Sequence, residues 1–275
     1  MVLGAIFSIQ TGAAIATDLF PEVGPAGVVF IRALVSTIFL VAIWRPGVAT
    51  VRAAPRLLFV FGIALGGMNL CFYEAIDRIP LGTAVTLEFV GPLTVALITS
   101  RRRIDWIWAG LAAAGILLLT GGIGGGDIDP VGVVLALCAG AFWGSYILLG
   151  KRMGRAFNGG KGLAVAMAIS AILTAPFGIA GGGTSLIEPK VLLIGLIVGV
   201  LSSALPFTLE LEAMRRMPSS VFGVMMSLEP AVAATVGLVL LGQVMVPLEV
   251  LAILLVVVAS AGALYSARAP APLEP

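Results

Sequence analysis

Ten stretches of this chain, each about 20 residues long, run almost without charge, and no water-soluble domain accommodates so many. They fall at about 2–19, 24–44, 56–76, 81–100, 104–121, 131–150, 162–180, 190–213, 218–241 and 246–266. A helix that crosses a bilayer needs about 20 predominantly apolar residues. Only 11% of the residues are charged, against about 25% in soluble domains, so most of the chain cannot face water. The runs and their short connections take up nearly all 275 residues and leave no room for a soluble catalytic domain. The expected class is an all-α integral membrane protein with ten transmembrane helices. The first run lacks the basic leading segment of a signal peptide and is read as a spanning helix. Its abrupt start leads us to expect a short extension ahead of Met1.

Basic residues give the orientation, because cytoplasmic loops carry the excess of Lys and Arg. Arg45, Arg52, Arg56, Arg101, Arg102, Arg103, Lys151, Arg152, Arg155, Lys161, Arg215, Arg216 and Arg268 lie on one side or in the tail, out of 16 basic residues in all. The other side carries Arg78 and Lys190, and Arg32 lies inside a run. Both termini are therefore expected in the cytoplasm. The basic balance needs no nucleic acid to explain it.

The chain also contains a second copy of one of its own segments. Tyr73-Glu74-Ala75-Ile76-Asp77-Arg78-Ile79-Pro80 recurs as Leu211-Glu212-Ala213-Met214-Arg215-Arg216-Met217-Pro218, and a later proline, Pro92 or Pro230, follows each copy at the same spacing. Ten spans with a repeat near half the chain give five spans per half, and an odd number inverts the second half. The loop charges agree, with Asp77–Pro80 expected outside and Arg215–Pro218 inside. Inverted repeats are the architectural basis of alternating access in transporters. The halves are expected at 1–125 and 126–266, with a disordered Pro/Ala-rich tail at 267–275.

Several chemistries find no support. The glycine-rich pieces at 121–126, 158–162 and 181–183 lack the Gly-Lys-Ser/Thr ending of a phosphate-binding loop, so ATP is not the expected energy source. Cys71 and Cys138 have no metal-ligand spacing, and the chain has no histidine. Neither a metal nor a cofactor is expected, and nor is an enzyme.

Polar residues inside the runs are the candidates for function, since a charge there costs about 2.5–3.5 kcal/mol or more. Arg32 and Glu88 start from the same face and lie roughly 10–12 Å deep at the rise of a helix. They suit either a structural ion pair, or a carboxylate receptor (Arg32) with a protonatable gate (Glu88). Glu229 directly precedes Pro230, which removes one backbone donor and frees a carbonyl a turn earlier. With Ser227 it makes a candidate site for a proton or an ammonium group. Pro92 is expected to kink the fourth span in the same way. Glu74 and Glu212 read as helix-end partners of Arg78 and Arg216, four residues on. Glu210 has no such partner. Gln10, Asn69, Tyr73, Trp143, Ser145 and Tyr146 add amide, hydroxyl and ring groups suited to a small polar solute.

These residues also carry a resemblance. Ser8-Ile-Gln-Thr-Gly-Ala-Ala13 with Leu19-Phe-Pro21, Gly66-Gly-Met-Asn-Leu70, Pro80-Leu-Gly-Thr-Ala-Val-Thr-Leu-Glu-Phe-Val-Gly-Pro92, Ser203-Ala-Leu-Pro-Phe-Thr-Leu-Glu210 and Met226-Ser-Leu-Glu-Pro230 span nearly the whole chain in order. In them the chain resembles the EamA-type branch of the drug/metabolite transporter superfamily, and within it the bacterial threonine/homoserine exporters. The resemblance implies a ten-helix inverted repeat around a central cavity in the bacterial inner membrane. It implies efflux of small amino acids against proton influx, with Asn69, Glu88, Glu210 and Glu229 on motif positions. The partners expected are thus an amino acid, protons and membrane lipid. Export of aromatic amino acids or drugs, or flipping of a lipid head group, stays open at this stage.

Overall fold

The computed structural model describes residues 1–99, 104–119, 128–206, 209, 213 and 225–266, and among them it contains helices and turns and no strand. The helices are α1 (Val2–Thr17), α2 (Phe20–Trp44), α3 (Val48–Ala53), α4 (Pro55–Ile76), α5 (Leu81–Glu88), α6 (Val90–Thr99), α7 (Asp105–Leu119), α8 (Pro130–Ala156), α9 (Lys161–Gly182), α10 (Pro189–Gly199), α11 (Glu229–Leu241) and α12 (Pro247–Ser266). A 3₁₀ turn at Gly183–Ile187 follows α9, and a π-helical turn at Val200–Ala204 continues α10.

Five helical stretches are long and apolar enough to cross a membrane: Phe20–Trp44, Pro55–Ile76, Pro130–Ala156, Lys161–Ile187 and Pro247–Tyr265. Five more are apolar but shorter: Val2–Thr17, Leu81–Val95, Trp106–Leu119, Pro189–Ser203 and Glu229–Leu241. Large apolar side chains such as Ile38, Ile43, Trp106, Ile172 and Val239 point outward. In water such a surface would aggregate, whereas in lipid it is the favourable face. The protein is an integral membrane protein.

Helix boundaries follow from local chemistry. Proline opens α4, α8 and α10, where a missing N–H leaves no helical bond unmade. Asp129 caps α8 by accepting from the Val131 N–H at 2.8 Å. Inside α2 the helical path is interrupted at Gly24, with φ 67° just before Pro25. A residue before proline is pushed out of the α region, and a positive φ is open chiefly to glycine.

The fourth apolar run is broken in two. Helix α5 ends at Glu88 and α6 begins at Val90, because Pro92 has no N–H to offer the Glu88 carbonyl. The expected kink at Pro92 is therefore a true break. The ninth run is interrupted equivalently, with a turn at Ser227 and Leu228 immediately before α11. The π turn in the eighth run was not expected.

Helix α2 packs on α9, α4 on α8 and α9, α7 on α12, α5 on α8 and α11, α6 on α8, α10 on α2, and α1 on α11 and the π turn. The main apolar core joins α1, α2, α4, α5, α8, α10 and α11, and includes Ile6, Leu19, Val28, Leu81, Leu87 and Val236. A second core lies between α2, α4, α8 and α9, around Leu40, Leu58, Phe61, Met153 and Met167. The α5–α6 break seats directly on α8: a Cβ at Gly91 would stand 1.8 Å from the Gly140 carbonyl oxygen, and one at Gly140 would stand 2.5 Å from that of Glu88. Small residues allow such close backbone approach in lipid.

This contact yields a stability prediction. Gly91→Ala forces α6 and α8 apart and should destabilise the protein by roughly 1–3 kcal/mol, read as a lowered Tm in detergent. Gly110→Ala, where an added Cβ meets nothing within 4 Å, should leave Tm unchanged or slightly raised. Equal effects from the two would contradict the seating of the break on α8.

Candidate functional site

The polar groups buried in the bundle converge from four directions. Arg32 projects from α2, and its Nη1 donates to Asn69 Oδ1 on α4. Its Nη2 donates to the Ser202 carbonyl of the π turn at 2.8 Å. Its Cζ lies 5.5 Å from the centre of the Tyr73 ring, also on α4. Asn69 and Tyr73 are four residues apart and so share one helix face. Asn69 Nδ2 donates to the Leu65 carbonyl at 2.8 Å, which turns the amide oxygen towards the guanidinium. The Tyr73 ring is fixed against Phe72 and Phe20, with centroids 5.8 and 6.1 Å away.

Among the described residues, the ligands of Arg32 are neutral. Among the described residues the ion pairs are Arg78–Asp129 at 3.6 Å and Lys190–Glu22. The structural Arg32–Glu88 pair that matched depth allows does not form, and the Arg32 Nε–H has no hydrogen-bond partner among the described residues. The expected helix-end pair of Glu74 with Arg78 gives way likewise, because Asp129 at the start of α8 takes the arginine.

The π turn explains how backbone oxygens become available at this depth. Its register shifts to the fifth preceding carbonyl, as the Leu205 N–H bonding to Val200 shows, so the ordinary ladder is open there. Ser8 Oγ on α1 donates to the Leu201 carbonyl at 2.7 Å, beside the Arg32–Ser202 bond. The turn is thereby held from both α1 and α2.

On the other side of α1, Gln10 Nε2 donates to Glu229 Oε1 at 3.1 Å. Gln10 is 1% exposed and Glu229 6%, so this bond is out of solvent. Glu229 is the first residue of α11, where unpaired N–H groups and the helix dipole favour a carboxylate. Glu88, the last residue of α5, is 8% exposed. Ser227 is fully buried in the turn before α11.

The sequence candidates thus separate into two groups. Gln10, Arg32, Asn69, Tyr73, Glu88, Ser227 and Glu229 line the region where the broken helices, α1 and the π turn meet, and Pro92 and Pro230 make those breaks. Trp143 stands edge-on to Phe89, 5.2 Å between centroids, on the rim of the α5–α6 break. Tyr146 lies apart in the second core, 4.8 Å from Phe61, and Ser145 bonds back to the Ala141 carbonyl at 2.9 Å. Glu210 and Glu212 lie outside the described residues. Among the described residues no three His, Cys, Asp or Glu side chains gather to hold a metal ion. Ser8 and Ser202 were missed. The one signal in the sequence was a serine pair, Ser202-Ser203, within an otherwise apolar run.

The chain is similar to known proteins along nearly its whole length. The family model described as the EamA-like transporter family matches residues 130–265. Threonine/homoserine exporter RhtA of Salmonella typhimurium (strain LT2) is 43% identical over 270 residues, covering 98% of this chain and 91% of that protein. RhtA of Escherichia coli (strain K12) is 42% identical over the same shares. The uncharacterized transporter YwfM of Bacillus subtilis (strain 168) is 28% identical over 221 residues, 78% of this chain and 74% of its own. One solved crystal structure matches with a TM-score of 0.67 over 97% of both chains at 21% identity, a likeness that concerns the fold alone. With identity of this degree along nearly its whole length, the chain belongs to the EamA-like transporter family.

Proposed function

We propose that this protein is a secondary exporter of small amino acids of the threonine and homoserine kind, working in the bacterial cytoplasmic membrane. The observation that carries the reading is Arg32: a permanent cation at membrane depth whose ligands are an amide oxygen, a carbonyl and a ring. A guanidinium cannot shed its charge, so a site with no bonded counter-ion among the described residues invites an anion from outside the protein. A substrate carboxylate supplies one. Glu229, anchored by Gln10, is the acceptor for the ammonium end. Cation and carboxylate held apart on different helices suit a zwitterion. The near full-length identity to RhtA, named for threonine and homoserine export, supports the same class.

The frame for transport is ten spans arranged as an inverted pair of five, 1–125 and 126–266, with both termini cytoplasmic. Exchange α1 for α8, α2 for α9, α4 for α10, α5–α6 for α11 and α7 for α12. The pairs α2–α9, α5–α11 and α7–α12 then map onto themselves. Helix pair α4–α8 becomes α10–α1, α4–α9 becomes α10–α2, and α5–α8 becomes α11–α1, all of which pack together. A frame equivalent under this exchange has two related conformations, each opening the central site to one side. Arg78–Asp129 and Glu22–Lys190 each join one half to the other in loops assigned to the outer face. In this scheme both pairs must break when the site opens to the outside. Proton entry through Glu88 or Glu229 would drive the return.

Labelled threonine uptake into everted vesicles, which corresponds to export from a cell, tests this reading. An inside-acid gradient should stimulate uptake and unlabelled homoserine should compete. No uptake by protein shown to be folded and inserted would overturn the substrate assignment. Arg32→Gln should raise the KM for threonine roughly 10- to 100-fold, as expected for losing hydrogen bonds to a charged group. Glu88→Gln and Glu229→Gln should each reduce the gradient-driven component. Full retention of that component by both variants would remove these carboxylates from proton cycling.

A further inference from the structure

Buried hydroxyls in these helices are usually satisfied locally. Ser36 donates to the Arg32 carbonyl at 2.7 Å, Thr86 to Gly82 at 2.6 Å and Thr174 to Ser170 at 2.9 Å, all one turn back. This back-bonding is the ordinary fate of Ser and Thr in a helix. Ser202 departs from it. Its Oγ is buried and has no hydrogen-bond partner among the described residues, because it stands in the π turn, where the carbonyl one turn back is displaced from its α-helical place. The hydroxyl instead occupies a notch in α1: a Cβ at Gly12 would come 2.2 Å from it. Tyr73 is the second exception. It is 1% exposed, its ring is fixed by Phe20 and Phe72, and its hydroxyl also lacks a partner among the described residues. Tyrosine hydroxyls normally find a partner when buried.

Both hydroxyls belong to residues that touch the same guanidinium, Ser202 through its carbonyl and Tyr73 through its ring. An amino acid whose carboxylate is held by Arg32 is only a few atoms long, so its side chain stays within reach of the residues around that guanidinium. We propose that Ser202 and Tyr73 form the subsite that reads the side-chain hydroxyl of the transported amino acid, an inference that rests on the amino-acid export reading. The discriminating force is the cost of an unpaired buried hydroxyl. A hydroxylated substrate supplies the partner, and a substrate of the same shape without the hydroxyl leaves buried polar groups unpaired, which a site of this kind rejects strongly.

Threonine and homoserine share one deoxy analogue, 2-aminobutyrate, which makes the test direct. The KM and maximal rate of labelled threonine, homoserine and 2-aminobutyrate are measured in everted vesicles carrying the wild type, Ser202→Ala, Tyr73→Phe or Ser260→Ala. Ser260 provides the control, since its Oγ is also buried without a partner among the described residues. It stands on α12, the helix packed on α7 and away from Arg32. The wild type should prefer the hydroxylated substrates. Ser202→Ala or Tyr73→Phe should weaken that preference roughly 5- to 20-fold, by raising the KM of threonine or homoserine while 2-aminobutyrate stays constant. Ser260→Ala should change nothing. An equal decline for hydroxylated and deoxy substrates would assign the two residues a structural role and overturn the proposal. So would an unchanged preference in both variants. A wild type that carries 2-aminobutyrate as well as threonine would also overturn it, with amino-acid export intact. A wild type that carries none of the three would remove the export reading and this inference together.

Discussion

A guanidinium that cannot lose its charge, set within an apolar layer, constrains everything near it. Arginine at the centre of a membrane helix costs about 2.5–3.5 kcal/mol or more, and that cost falls only as polar atoms are brought to it. Here they come from two neighbouring elements, the amide and ring of α4 and a backbone carbonyl of the π turn. Asn69 is in turn tied to its own helix through Leu65, so the orientation of one amide rests on the placement of one charge. The α2, α4 and α10 helices cannot slide past one another without breaking this set of bonds.

Backbone carbonyls are scarce as ligands inside a membrane, because regular helices consume their own. The fold releases them by interrupting helices where protein, not lipid, surrounds the gap. Pro92 leaves the Glu88 carbonyl without its helical donor, Pro230 does the same a turn before itself, and the π turn opens the ladder at Leu201 and Ser202. Two of these openings are covered by a close neighbour that lacks a side chain. Gly140 lies against the Glu88 carbonyl, and Gly12 lies against Ser202. The abundance of glycine is thus explained at these positions by contact distance, not by chain flexibility.

The apolar runs were legible because lipid imposes a minimum length and forbids most charges, and the long helices overlap the runs read from the sequence, although α2 begins earlier, at Phe20, and α8 continues to Ala156. Arg32, Asn69, Glu88 and Glu229 stood out for the same reason, as polar residues where few are tolerated. The breaks at Pro92 and before Pro230 were legible because proline acts on the backbone locally. The π turn was not, since a one-residue change of register leaves no periodic trace in an apolar run, and Ser202 depends on that turn for its role. The Gln10–Glu229 bond joins residues 219 positions apart, which no local pattern encodes. Spacing predicted Arg78 as a partner for Glu74, but Asp129 reaches it across the bundle. Tyr146 was polar, aromatic and deep, yet depth does not reveal helix face, and its face turns to Phe61.

The two broken runs share a proline but not their chemistry. Pro92 and Pro230 occupy equivalent places in the repeat, yet the carboxylates beside them do not. Glu88 stands four residues before its proline and ends α5, while Glu229 stands directly before its own and begins α11. The position equivalent to Glu229 is Gly91, which is pressed against Gly140 where no side chain fits, and that equivalent to Glu88 is Met226. One break therefore closes tightly on its neighbouring helix, and the other presents a carboxylate to Gln10. A frame of two similar halves can move between related conformations, but a centre with identical halves would offer identical groups to both ends of a substrate. Substituting one pair of equivalent positions differently, with Arg32 on α2 supplying the opposite charge, gives the site a direction. A zwitterion, charged oppositely at its ends, is the kind of solute for which that direction matters.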